Sequence, residues 1–138
     1  MSPRGSKRHP VSPADAHAYL GKASAWLQAA EESLQAHRWD VAAGSAVTAG
    51  INACDSLTGA LLGQRAGGGH SEAVDLLSQA GADGRQAAKQ LAQLLHYKTP
   101  AQYDPAPLPE RDATKAIELA RRLVERAAQV NARRRPPS

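Results

Sequence analysis

Between Val41 and Gln64 the chain carries a single charged residue, Asp55. The apolar positions of this stretch fall on helical spacing. Val47, Ile51, Cys54, Thr58 and Leu61 step by four, three, four and three residues and so share one face of a helix. A surface helix would show Lys and Glu on its other faces, whereas this one shows Ala, Gly, Ser and Thr nearly all round. Such a helix is covered by neighbours on several sides. Its Gly, Ser, Thr, Asn and Asp content is too high for a membrane span. A four-helix monomer of this size could not easily cover it, so a dimer contact through this helix and the corner after it is expected.

A chain of 138 residues supports one domain with one core. Phe is absent, and no segment alternates apolar and polar residues as a strand would. The expected fold is all-α, a bundle of four principal helices plus one short helix, packed closely through small side chains. The net charge of +4 resides at the two ends, in Arg4, Lys7 and Arg8 and in Arg133, Arg134 and Arg135. The body between them holds slightly more acidic than basic residues. Basic ends can gather nucleic acid by releasing counterions, but solvated tails are the commoner case. The single cysteine, Cys54, excludes an intramolecular disulfide and reads as a small buried thiol on the apolar face. No apolar run follows the N-terminal basic residues, so the expected location is cytoplasmic, with no membrane contact.

Residues 1–11 are basic and aperiodic, and are expected to form a disordered arm. Ser12-Pro13-Ala14-Asp15 is a helix start, with Ser as N-cap, Pro at the first helical position and Asp in the first turn. Ala16, Leu20, Ala23, Leu27, Ala30 and Leu34 then mark a core stripe, with Tyr19 and Trp26 packing beside it. A break at residues 36–38 leads into the central helix, whose second face reads Ser45, Thr48, Asn52, Asp55 and Gly59. A short helix is expected over residues 71–80, a break at residues 81–84, and a further helix from Arg85 to Tyr97. Three prolines make residues 98–108 a loop. A last helix from near Pro109 buries Ala113, Ile117, Ala120, Val124 and Ala127 and leaves Arg111, Lys115, Arg122 and Arg126 in solvent. The domain is expected to span residues 12–132, with a basic, proline-ended tail at 133–138.

The central helix delivers Arg65 and His70, an RxxxxH pair, to a corner containing Gly67-Gly68-Gly69. With twelve Arg and five His in the chain, about 0.4 such pairs arise by accident. Arg4 and His9 in the expected arm repeat the spacing and serve as the measure of chance. Context separates the two. At the start of the short helix the backbone N–H groups and the dipole favour an anion and keep an imidazole neutral. Arg65 can offer a phosphate a forked pair of donors and stabilise the charge of its transition state. Asp55 is a candidate support for Arg65, with Asn52 beside it on the same face; a capped or solvated Asp is an equal alternative.

The order of helices, the RxxxxH corner, the segment Lys98-Thr99-Pro100-Ala101-Gln102-Tyr103-Asp104-Pro105 and the Ala-rich last helix resemble a HEPN domain over about residues 12–130. The resemblance implies an α-helical homodimer that brings two motifs into one cleft. It implies a metal-independent endoribonuclease, of a toxin or antiviral defence system, leaving 2′,3′-cyclic phosphate and 5′-hydroxyl ends. In that reading His70 is the general base and acid, Arg65 binds the scissile phosphate, and Lys98 and Tyr103 are weaker RNA-binding candidates. No cofactor and no metal ligand is expected. Glu72 stands where toxins paired with a nucleotidyltransferase antitoxin often have tyrosine. Two alternatives remain open: a non-catalytic module that binds a partner such as an antitoxin or nucleotidyltransferase, and a purely structural bundle.

Overall fold

The computed structural model describes residues 7–134. Among them the chain forms α1 (Pro13–Gln35), α2 (Trp39–Leu62), α3 (His70–Ser78), α4 (Gly81–Leu95), a single turn α5 (Lys98–Gln102) and α6 (Glu110–Arg134). Two three-residue strands, β1 (Arg8–Pro10) and β2 (Gln64–Ala66), pair antiparallel beside the bundle. The fold is the expected all-α bundle of four principal helices and one short one, α3, with α5 and a small ribbon added. No helix among the described residues is long and apolar enough to cross a membrane.

Helix α2 lies at the centre and meets α1, α6, α4, α5, α3 and β2. It is covered because it has no charge to hydrate. Both its apolar stripe and much of its small-residue face are buried, including Ala42, Ala46, Val47, Gly50, Ala53, Cys54, Leu57 and Thr58. Close approach replaces bulk here. At Gly50 an added Cβ would collide with Leu94 of α4, so backbone and side chain already touch. The stripes expected on α1 and α6 face inward: Ala16, Ala23 and Ala30 are buried, as are Ala113, Ile117, Ala120, Val124 and Ala127. Helix α1 starts where its cap dictates, with the Ser12 hydroxyl accepting from the Asp15 N–H at 3.1 Å.

Four expectations need correction. Residues 8–11 are no disordered arm: Arg8–Pro10 is strand β1, and Val11 is buried against α2 at Gly59. Residues 1–6, with Arg4, and residues 135–138 lie outside the described residues. The break after α3 falls at residues 79–80, with Gly81 (φ +78°) turning the chain, so residues 81–84 open α4 instead of interrupting it. The expected loop 98–108 begins with a helical turn, which tolerates Pro100 because first-turn N–H groups have no intrahelical partner. Finally, α6 runs on to Arg134. Arg126 and Arg133 are not free in solvent but close on Asp83 of α4 at 3.0 and 2.7 Å.

Three helices are locked by one buried polar node. The Ser56 hydroxyl of α2 donates to the Ala16 carbonyl of α1 at 2.7 Å and accepts from Asn131 Nδ2 of α6 at 2.8 Å. Asn131 also donates to its own helix at Ala127 O, 2.7 Å away. A buried polar group that loses its partner keeps its desolvation cost. Asn131→Ala is therefore expected to lower unfolding free energy by about 1–3 kcal/mol, and Ser56→Ala by a similar amount. The double variant should cost clearly less than the sum, as measured by urea unfolding.

Candidate functional site

Helix α2 ends at Gly63, whose left-handed backbone (φ +70°) lets its N–H return to Gly59 O at 3.0 Å while the chain turns away. The turn leads directly into β2, which carries Arg65. Strand β1 then pairs with β2 so that Arg8 faces Ala66, His9 faces Arg65 and Pro10 faces Gln64. Two further backbone bonds extend the ladder. Val11 N–H donates to Gly63 O and Gly67 N–H donates to Lys7 O, each at 2.8 Å. Gly67 lies under the His9 ring, and a Cβ at this position would collide with His9 Nε2 and Cδ2. Of the Arg4/His9 pair taken as a chance repeat, Arg4 lies outside the described residues and His9 stands opposite the motif arginine.

His70 is the first residue of α3, after Gly69 at the N-cap. Its Nε2 is 2.9 Å from Lys98 Nζ, at the start of α5. An ammonium only donates, so Nε2 accepts and the imidazole proton sits on Nδ1. Partial burial holds the His70 pKa below the ordinary histidine value, and the Lys98 charge adds to the effect. The helix start alone would push in this direction. Lys98, a weak RNA-binding candidate in the sequence, here meets the motif histidine directly.

Arg65 is half-buried, and Nη1 makes only a long bond, 3.4 Å, to Ala66 O. Asp55 lies on α2 near enough for the guanidinium to lower its pKa, but burial outweighs that effect and raises it to about 6. The ion pairs among the described residues are Arg111–Asp112, Arg121–Glu31, Arg126–Asp83 and Arg133–Asp83, so none neutralises Arg65, His9 or Lys98. Asn52 uses its Nδ2 on Thr48 O, one turn back in α2, at 2.9 Å. Tyr103 is 71% exposed just after α5 and makes no side-chain hydrogen bond to the motif pair. Cys54 is buried, and burial pushes its thiol pKa well up, with the Asp55 charge adding to it. It is no nucleophile.

The structure therefore brings Arg65, His70, Lys98 and His9 to one end of the bundle, with Asp55 behind them. Sequence reading missed the His9 pairing and the Lys98–His70 contact. A three-residue strand ending in proline has no periodicity to detect, and its partner lies more than fifty residues away. The one local signal was Val11, an apolar residue immediately before a helix cap. Trp26, expected to pack, is 44% exposed and instead lines a shallow groove with Val41, Gly44, Thr48, Ala101 and Gln102.

The Asp55 carboxyl carries a pH signature. Its folded pKa of about 6 lies above the unfolded value near 3.9. Its contribution to stability is therefore full below about pH 4 and is lost as pH rises through 6. Asp55→Asn, which cannot ionise, should melt about 5 °C above wild type at pH 7.5 and level with it near pH 4, followed by circular dichroism.

A family model described as the HEPN domain matches residues 16–130, most of the chain. Among curated proteins nothing matches. The family match covers α2, the motif corner, α5 and nearly all of α6, and leaves out strand β1 with His9. The chain belongs to the HEPN domain family.

Proposed function

We propose that the protein is a metal-independent endoribonuclease acting through Arg65 and His70. The carrying observation is a half-buried histidine whose Nε2 already accepts a hydrogen bond at 2.9 Å, at a corner whose cations have no carboxylate ion pair. An imidazole held neutral is a base at neutral pH, and unpaired cations suit a phosphodiester. Members of this family are often ribonucleases or toxins, which supports the reading. In the reaction His70 Nε2 removes the proton of a ribose 2′-hydroxyl, and the 2′ oxygen attacks phosphorus. The bond to the 5′ oxygen breaks, and the imidazolium returns the proton to that oxygen. Products are a 2′,3′-cyclic phosphate and a 5′-hydroxyl end. Arg65 grips the non-bridging oxygens, where charge accumulates. Lys98 finds in those oxygens a better acceptor than imidazole, so substrate binding draws it away and frees Nε2.

The working unit in this reading is a homodimer. The sequence argument, that a monomer could not cover α2, needs revision, since α1, α4, α5 and α6 cover most of it. What stays open is a strip of half-buried or exposed residues, Val41, Gly44, Thr48, Asn52 and Asp55, running from the groove at Trp26 towards Arg65. Val41 is 53% exposed. Pairing two copies along this strip would set two motif corners near one another. The same groove favours a second reading, a module that docks a partner such as an antitoxin or nucleotidyltransferase. Toxin or antiviral defence roles and a cytoplasmic location belong to the proposal.

Purified protein incubated with total RNA in excess EDTA should cut it, leaving cyclic phosphate ends. Arg65→Lys, which loses the fork, and His70→Ala should each reduce cutting about a hundredfold or more without changing the melting temperature by more than a few degrees. Equal cutting by His70→Ala would refute the catalytic assignment. Thr48→Glu, a charge in the open strip, is expected to turn a dimer into monomer by light scattering at micromolar concentration; a monomeric wild type would exclude the dimer.

A further inference from the structure

Resting on the ribonuclease reading, we propose that strand β1 belongs to the substrate site and that His9 contacts an RNA phosphate beside the one held by Arg65. Three observations place it there. Residues directly opposed in an antiparallel ladder project to the same face, so His9 and Arg65 share one side of the ribbon. Gly67, just past the end of β2 and two residues on from Arg65, has no Cβ, which is what lets the His9 ring lie over it. The strand is also held firmly. It is bonded to β2 at Gly67 and Gly63, anchored by Val11, which is 6% exposed against Gly59, and continued by the Ser12 cap of α1.

His9 itself is exposed and has no side-chain hydrogen bond or carboxylate within ion-pair distance among the described residues. An imidazole open to solvent offers an N–H donor, and the guanidinium across the ribbon adds positive charge, a pairing that suits an anion. The flanking Lys7 and Arg8 are exposed as well, and α3 begins at His70 on the far side of Gly67-Gly68-Gly69. Successive phosphates of one strand would run from His70 and Arg65 to His9. Each such contact is a hydrogen bond to a charged group, which holds and orients the polymer but transfers no proton. His9 is thus a binding residue, and its loss falls on KM.

The test uses the full chain and a fluorescein-labelled, fully 2′-O-methylated single-stranded RNA of 20 nucleotides, which cannot be cut by 2′ attack. By anisotropy, His9→Ala and Gly67→Ala should each weaken binding about tenfold, and the exposed α1 variant His17→Ala should not change it. On cleavable RNA, His9→Ala should raise KM about tenfold with kcat within about threefold of wild type. His9→Arg should restore binding, because a cation regains the phosphate without needing the ring on Gly67. Wild-type binding by His9→Ala, with loss in Arg65→Ala, would overturn the proposal and leave the ribonuclease reading standing. Equal loss in His9→Ala and His9→Arg with a matching fall in melting temperature would also overturn it, assigning His9 to strand packing. If wild type neither binds nor cuts RNA, both readings fall.

Discussion

The structure depends on one helix that cannot face water. Helix α2 has almost no charge to hydrate, and its neighbours are arranged as a sheath around it. Small residues make the sheath tight but give each contact little apolar area, so stability comes from close approach over a long interface and not from a few large side chains. Inside such an interface every polar atom must find a partner. The Ser56–Asn131–Ala16 node satisfies that demand and pins α1, α2 and α6 at one level of the bundle. The accuracy of this packing is passed on to the end of α2, where the chain leaves through Gly63 into β2.

The candidate site draws on segments that are remote in sequence. Strand β1 contributes His9, β2 contributes Arg65, α3 contributes His70 and α5 contributes Lys98. Two carboxylates away from the corner are occupied. Asp83 holds Arg126 and Arg133, and its hydrogen bond from Arg133 is the main reason its pKa lies below the ordinary carboxylate value. Asp40 accepts from Leu108 N–H at 3.0 Å and ties the approach to α6 onto α2. The motif corner has Asp55 behind it, half-hidden and reluctant to ionise, and Glu72 in the first turn of α3, two residues after His70. Partial burial first, and the Lys98 charge second, hold the His70 pKa below the ordinary histidine value.

Much of the fold was legible. The Ser12-Pro13 cap, the stripes of α1 and α6 and the uncharged run of α2 each report a local preference or a burial requirement that neighbours in sequence are enough to express. The position of the corner was legible too, because a buried helix followed by Arg65, three glycines and His70 marks a turn into a new helix. Errors arose where short elements borrow their stability. One turn at Lys98–Gln102 and three residues at Arg8–Pro10 cannot persist alone. Arg126 and Arg133 looked solvated because Asp83 is far away along the chain.

The sequence by itself determined that α2 would be buried, that three other long helices would bundle round it, and that Arg65 and His70 would meet solvent at its end. These follow from hydrophobic periodicity, capping and the absence of charge, all written in consecutive residues. Only the tertiary structure decided that Lys98 donates to His70, that Asp55 is half-buried behind Arg65, and that His9 lies across the ribbon from Arg65 over Gly67. Those relations join residues that no local pattern connects. They form because the packing of α2 brings the two ends of the ribbon and the start of α5 to the same place, and hydrogen bonding then sets their register.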